Sequence, residues 1–69
     1  MALSYKPLWH LLLEKNMNKE DLKRAAHITS NIVSRMSKDT YVNLDSLEKI
    51  CIALDCTLND VVEIIKDTE

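Results

Sequence analysis

Sixty-nine residues, 46% of them hydrophobic, with no glycine and one proline, suffice for a single domain over residues 1–69, near the smallest size at which a core holds without staples. The formal net charge of −2 at first argues against nucleic acid. The charge is divided, however: residues 1–38 hold seven Lys/Arg against three Asp/Glu, and residues 39–69 hold two against eight. With a Debye length of about 8 Å at physiological salt, the basic half can act on its own. Apolar runs such as Leu11-Leu12-Leu13 and Val61-Val62 are far too short to span a membrane, and no leader is visible, so a cytoplasmic protein is expected.

In chain order, only Ala2-Leu3-Ser4-Tyr5 suits an extended conformation. Pro7 fits the first turn of a helix, where its missing N–H costs nothing. The spacing of Leu8, Leu11, Leu12 and Lys15 predicts that this helix runs from Leu8 to about Lys15, with Trp9 and Leu13 widening the stripe. Asn18 is an N-cap for a second helix, with Glu20 and Asp21 favouring its positive end. His27 falls where a left-handed residue is needed, a conformation that His tolerates better than most. Thr29 caps a third helix ending near Ser37, and Lys38 to Asn43 form a polar connection. Asn43 or Asp45 caps a fourth helix carrying Leu47, Ile50, Cys51 and Leu54. Thr57 caps a fifth carrying Leu58, Val61, Val62 and Ile65, and Glu48 and Asp60 occupy the third positions of these last two helices. The expected class is therefore all-α, with five short helices. Cys51 and Cys56 lack the Cys-x-x-Cys spacing of metal or redox sites, so they read as reduced thiols.

The stretch from Asn18 to Lys38 carries the function. Leu22, Ala25, Ala26, Ile28, Val33 and Met36 let two short helices, joined at His27-Ile28-Thr29, bury one side against a common core. The outer side of the second of these helices presents Ser30, Asn31, Ser34, Arg35 and Lys38. That surface of donors, acceptors and fixed positive charge suits the major groove of DNA. Arg35 is the strongest candidate for base readout, because a guanidinium fork matches the O6 and N7 of guanine. Its bland alternative is a solvated arginine paired with Asp39. Asn31 suits adenine, or is simply exposed, and Lys23 and Arg24 read as solvated charge. His10 and His27 are too far apart to suggest a metal site, and no serine has a base at a useful spacing. Ile52 and Ile64 lie off the apolar stripes of their helices and mark a candidate self-association surface, although isolated exposed apolar residues are common.

These features together resemble the Cro/lambda-repressor-like (XRE) family of helix-turn-helix regulators, and its small single-domain subgroup in particular. The resemblance rests on Leu8-Trp9 and Leu12, on Met17-Asn18-Lys19-Glu20-Asp21-Leu22, on Ile28 through Arg35, and on the strings Leu47–Cys56 and Leu58–Val62. It implies a helix-turn-helix at helices 2 and 3 and a transcriptional regulator of bacterial or phage type, acting as a repressor on double-stranded DNA. Base-reading positions would be Thr29, Ser30, Asn31, Ser34 and Arg35, and phosphate-binding positions Asn18, Lys19, Lys38 and Thr40. The family's turn glycine is His27 here, and its small alanine in the second helix is Lys23. No enzymatic activity, cofactor, metal or small-molecule ligand is expected. A reading helix of about eight residues spans only ~12 Å, so a homodimer on half-sites about 34 Å apart is expected, formed through the C-terminal helices or the N-terminal arm. The alternative, favoured by the acidic half from Asp39 to Glu69, is a protein-interaction module such as an antitoxin-like partner.

Overall fold

The computed structural model describes residues 2–66; Asp67 and Glu69, counted above in the acidic half, lie outside them. Helix α1 spans Lys6–Glu14, starting two residues before the hydrophobic stripe because Pro7 is accommodated in the first turn. It buries Leu8 and Leu12, whereas Leu13, expected to widen the stripe, is 74% exposed. Helices α2 (Lys19–Ala26), α3 (Ser30–Ser37) and α4 (Leu44–Leu54) follow at the expected places. Helix α2 is held through Leu22 and Ala26, while Ala25 faces solvent. One cluster of Tyr5, Leu8, Leu12, Leu22, Ala26, Ile28, Met36, Leu47, Ile50, Leu54 and Val61 forms the core. Each fully buried side chain of this size stabilises by roughly 1.5–3 kcal/mol. Among the described residues no helix is long and apolar enough to cross a membrane.

Without glycine, the four helices must be closed by residues that carry a Cβ. Asn16, His27, Asp39 and Asp55 take left-handed φ values of 57°, 56°, 56° and 52°. In every case the following N–H reaches back five residues: Met17 to the Leu12 carbonyl (2.8 Å), Ile28 to Lys23 (3.2 Å), Thr40 to Arg35 (3.0 Å) and Cys56 to Cys51 (3.0 Å). This is the Schellman closure, usually built on glycine or asparagine. Asn and Asp offset the Cβ crowding with a short polar side chain, whereas His27 does so least, and left-handed geometry costs a non-glycine residue roughly 1–2 kcal/mol.

The expected fifth helix does not form, which corrects the five-helix architecture to four α-helices and a strand pair among the described residues. Thr57 and Asp60 do make their box, the Asp60 carboxylate accepting from the Thr57 N–H at 3.1 Å. Only a 3-10 turn, Leu58–Asp60, follows. Beyond it Val61, Val62, Ile64 and Ile65 are β-branched and disfavour helix. Glu63–Ile65 becomes strand β2, paired antiparallel with β1 (Ala2–Ser4) in the register Ala2↔Ile65, Leu3↔Ile64, Ser4↔Glu63. The N-cap of α4 is Asn43, not Asp45, so Ser46 rather than Glu48 occupies the third position of that helix. Cys51 and Cys56 are half-buried free thiols at the closing turn of α4.

Tyr5 ties the start of α1 to the end of α3. Its N–H donates to Asp39 Oδ1 at 3.2 Å and its hydroxyl donates to the Thr40 carbonyl at 2.8 Å. Burial, reinforced by the Asp39 carboxylate, pushes the Tyr5 hydroxyl above its ordinary pKa.

Candidate nucleic-acid interface

Two N-caps set the corner between α2 and α3. Asn18 Oδ1 accepts from the Asp21 N–H at 2.8 Å, and Asp21 Oδ2 accepts from the Asn18 N–H at 3.1 Å. Thr29 Oγ1 accepts from the Ile32 N–H at 3.3 Å, which starts α3 immediately after the left-handed turn at His27. With Met36 fully buried and Ile32 and Val33 half-buried, α3 can turn only its other side outward. That side is Ser30, Asn31, Ser34 and Arg35, followed by Lys38, and all five are exposed.

The Arg35–Asp39 pair does not form. The Asp39 carboxylate instead accepts from the Tyr5 N–H, and Arg35 makes no ion pair among the described residues. Arg35 and Asn31 line a polar groove that continues to Asn43 and Ser46 at the start of α4. Asn43 makes no side-chain capping bond, so its amide remains available in that groove. In sequence Asn43 is only a cap; its place in the groove depends on how α4 docks beside α3, which local pattern does not encode.

Lys23 departs from the solvated charge expected of it. Its ammonium lies 3.0 Å from Glu20 Oε2 and donates to Ser30 Oγ at 3.2 Å, linking α2 to the first turn of α3. The long side chain thus lies across the corner where the family's alanine would leave room. Arg24 reaches the same Glu20 carboxylate at 4.0 Å. Lys19 donates to Ser37 Oγ at 2.9 Å. Thr40 differs from the other expected phosphate ligands. Its N–H (3.0 Å) and its hydroxyl (2.8 Å) both donate to the Arg35 carbonyl. Both of its donors are thus engaged in closing α3.

The candidate interface is therefore the short, exposed polar edge of α3, with Lys19 reaching it from α2 through Ser37 and Asn43 lining the groove on the α4 side. Residues 7–67 match the family described as the Cro/C1-type HTH DNA-binding domain. Among solved structures, the transcriptional regulator VanUg (crystal form II) superposes with a TM-score of 0.90 at 30% identity, covering 96% of this chain and 88% of that one. No curated protein matches the chain.

Proposed function

Since the chain belongs to the Cro/C1-type HTH DNA-binding domain family, we propose that it is a transcriptional regulator that inserts α3 into the major groove of double-stranded DNA. The observation that carries this reading is the exposure of Ser30, Asn31, Ser34, Arg35 and Lys38 along one side of α3. Arg35 reads guanine through its fork and Asn31 reads adenine, while Thr29, Ser30 and Ser34 make shorter contacts at the groove floor and wall. Asn18, Lys19 and Lys38 hold phosphates, aided by the positive end of α2. Thr40 supports them indirectly by fixing the end of α3. Repression is the simplest outcome, since occupancy of the groove alone blocks other proteins.

An eight-residue reading helix covers ~12 Å, so the working species is a homodimer on half-sites about 34 Å apart. A second reading, an antitoxin-like protein-interaction module, draws on the exposed Leu44, Ile52 and Leu58, with Asp45 and Glu48 beside them.

Fluorescence polarisation on random and selected duplexes, at low and moderate salt, separates the two. Arg35→Ala is expected to erase ~1–3 kcal/mol of discrimination at one base position. Lys38→Ala is expected to weaken all sequences alike and to lower the salt slope by about one. No binding to any duplex even at low salt would reject the regulator reading in favour of the interaction module.

A further inference from the structure

Trp9 and Lys19 lie on different helices, yet the Lys19 ammonium stands 4.6 Å from the centroid of the Trp9 ring. The same ammonium donates to Ser37 Oγ at 2.9 Å, and the Ser37 hydroxyl donates to the Val33 carbonyl at 3.0 Å. One cation therefore joins α1, α2 and α3. The indole is packed against the core, so it is a fixed platform and not a second mobile partner. A lysine stem loses much rotamer freedom when it grips a ligand; here a large part of that freedom is already lost. Helix stability does not account for the placement, because a cation at the first position of a helix faces the positive end of its dipole. Glu20 and Asp21 are the residues that answer that dipole.

We propose that Trp9 is a positioning residue that holds Lys19 ready for a backbone phosphate of duplex DNA, with Ser37 as the second arm of the clamp. This rests on the DNA-binding reading above. An ammonium has three N–H donors and no lone pair; Ser37 takes one donor, the ring face attracts the charge as a whole, and N–H donors remain toward solvent because Lys19 is exposed. A phosphate oxygen can accept from these donors without displacing either arm. Nothing in local spacing connects residues 9, 19 and 37.

The test is a double-mutant cycle on affinity for a fluorescein-labelled random duplex over a salt series, using Trp9→Leu, Trp9→Phe, Lys19→Met and the Trp9→Leu/Lys19→Met double variant. Trp9→Leu is expected to weaken binding about two- to fivefold, with Trp9→Phe restoring most of the loss. Lys19→Met is expected to lower the salt slope by about one. In the Lys19→Met background Trp9→Leu should change affinity no further. Equal losses in both backgrounds, or no loss in either, would overturn the proposal. Trp9 is the only tryptophan, so its emission gives a second readout that survives if Trp9→Leu does not fold. An emission change on duplex binding that disappears in Lys19→Met supports the clamp; emission unchanged on binding overturns it. A wild-type protein that binds no duplex overturns the DNA-binding reading itself, whereas binding with uncoupled variants overturns only the role of Trp9.

Discussion

The segments starting at Asn18 and at Thr57 open on the same device, a capping box closed by Asp21 in one and Asp60 in the other, yet only the first continues as α-helix. After Asn18 come Leu22, Lys23, Arg24, Ala25 and Ala26, all good helix formers. After Thr57 come Val61, Val62, Ile64 and Ile65, whose branched Cβ atoms crowd the preceding turn. A cap starts a helix; the residues behind it decide whether it propagates. The first segment also finds tertiary support, burying Leu22, Ala26, Ile28 and Met36 together, whereas beyond Val61 the second segment leaves Ile64 66% exposed.

The largest expected effect follows from that contrast. Leu22→Ala should cost about 2–5 kcal/mol, since it empties a fully enclosed site. Ile64→Ala should remain within roughly 0.5 kcal/mol, as exposed substitutions usually do. Urea unfolding followed by circular dichroism measures both. Comparable losses would mean that β2 is as much a part of the cooperative core as α2, and the distinction between the two segments would fail.

The same contrast explains what the residues disclosed in advance. The helix-turn-helix was legible because its signals agree: Asn18 and Thr29 at the caps, His27 in the left-handed corner, and Leu22 and Met36 on the inner faces. The C-terminal segment was misread because Leu58, Val61, Val62 and Ile65 satisfy helical spacing, while Val61, Val62, Ile64 and Ile65 equally make a β-branched run. Strand pairing with Ala2–Ser4 is non-local, so no window around residue 60 contains it. The base-reading side of α3 was visible as a polar stripe, but the fates of its neighbours were not. Asp39 turning to Tyr5, Thr40 spending its donors on Arg35, and Lys19 settling over Trp9 all involve partners distant in sequence or an exact end to α3. Local pattern placed the candidate site; tertiary contacts decided which of its members remain available.

A smaller effect sharpens the comparison at the helix closures, one in each region. His27 and Asp55 adopt nearly the same left-handed geometry, but only Asp has a short polar side chain suited to it. His27→Gly should therefore stabilise by up to about 1 kcal/mol, the relief of crowding being partly offset by the freer unfolded chain. Asp55→Gly should be close to neutral. Paired thermal melts compare them directly. If Asp55→Gly gained as much as His27→Gly, the side chain would be irrelevant to the closure and His27 would be no more strained than its counterpart.

A last contrast separates the two regions by pH. In the first, the buried Tyr5 hydroxyl that closes on Thr40 is pushed above its ordinary value of 10.0 by burial and then by Asp39. In the second, burial foremost, with help from the neighbouring Cys51, pushes the Cys56 thiol from 9.0 up to about 11. Both groups hold their protons more tightly when folded, so as pH rises the unfolded chain binds fewer protons than the native one and stability declines. The Cys56 contribution is complete below pH 9.0 and is lost as pH rises from there to about 11; the Tyr5 contribution starts to fade only near 10.0. Cys56→Ala should therefore flatten the first part of an alkaline melting series and leave the later decline, while Tyr5→Phe should do the reverse. A decline unchanged by both substitutions would place the alkaline sensitivity in neither contact, and the two regions would no longer be distinguishable by titration.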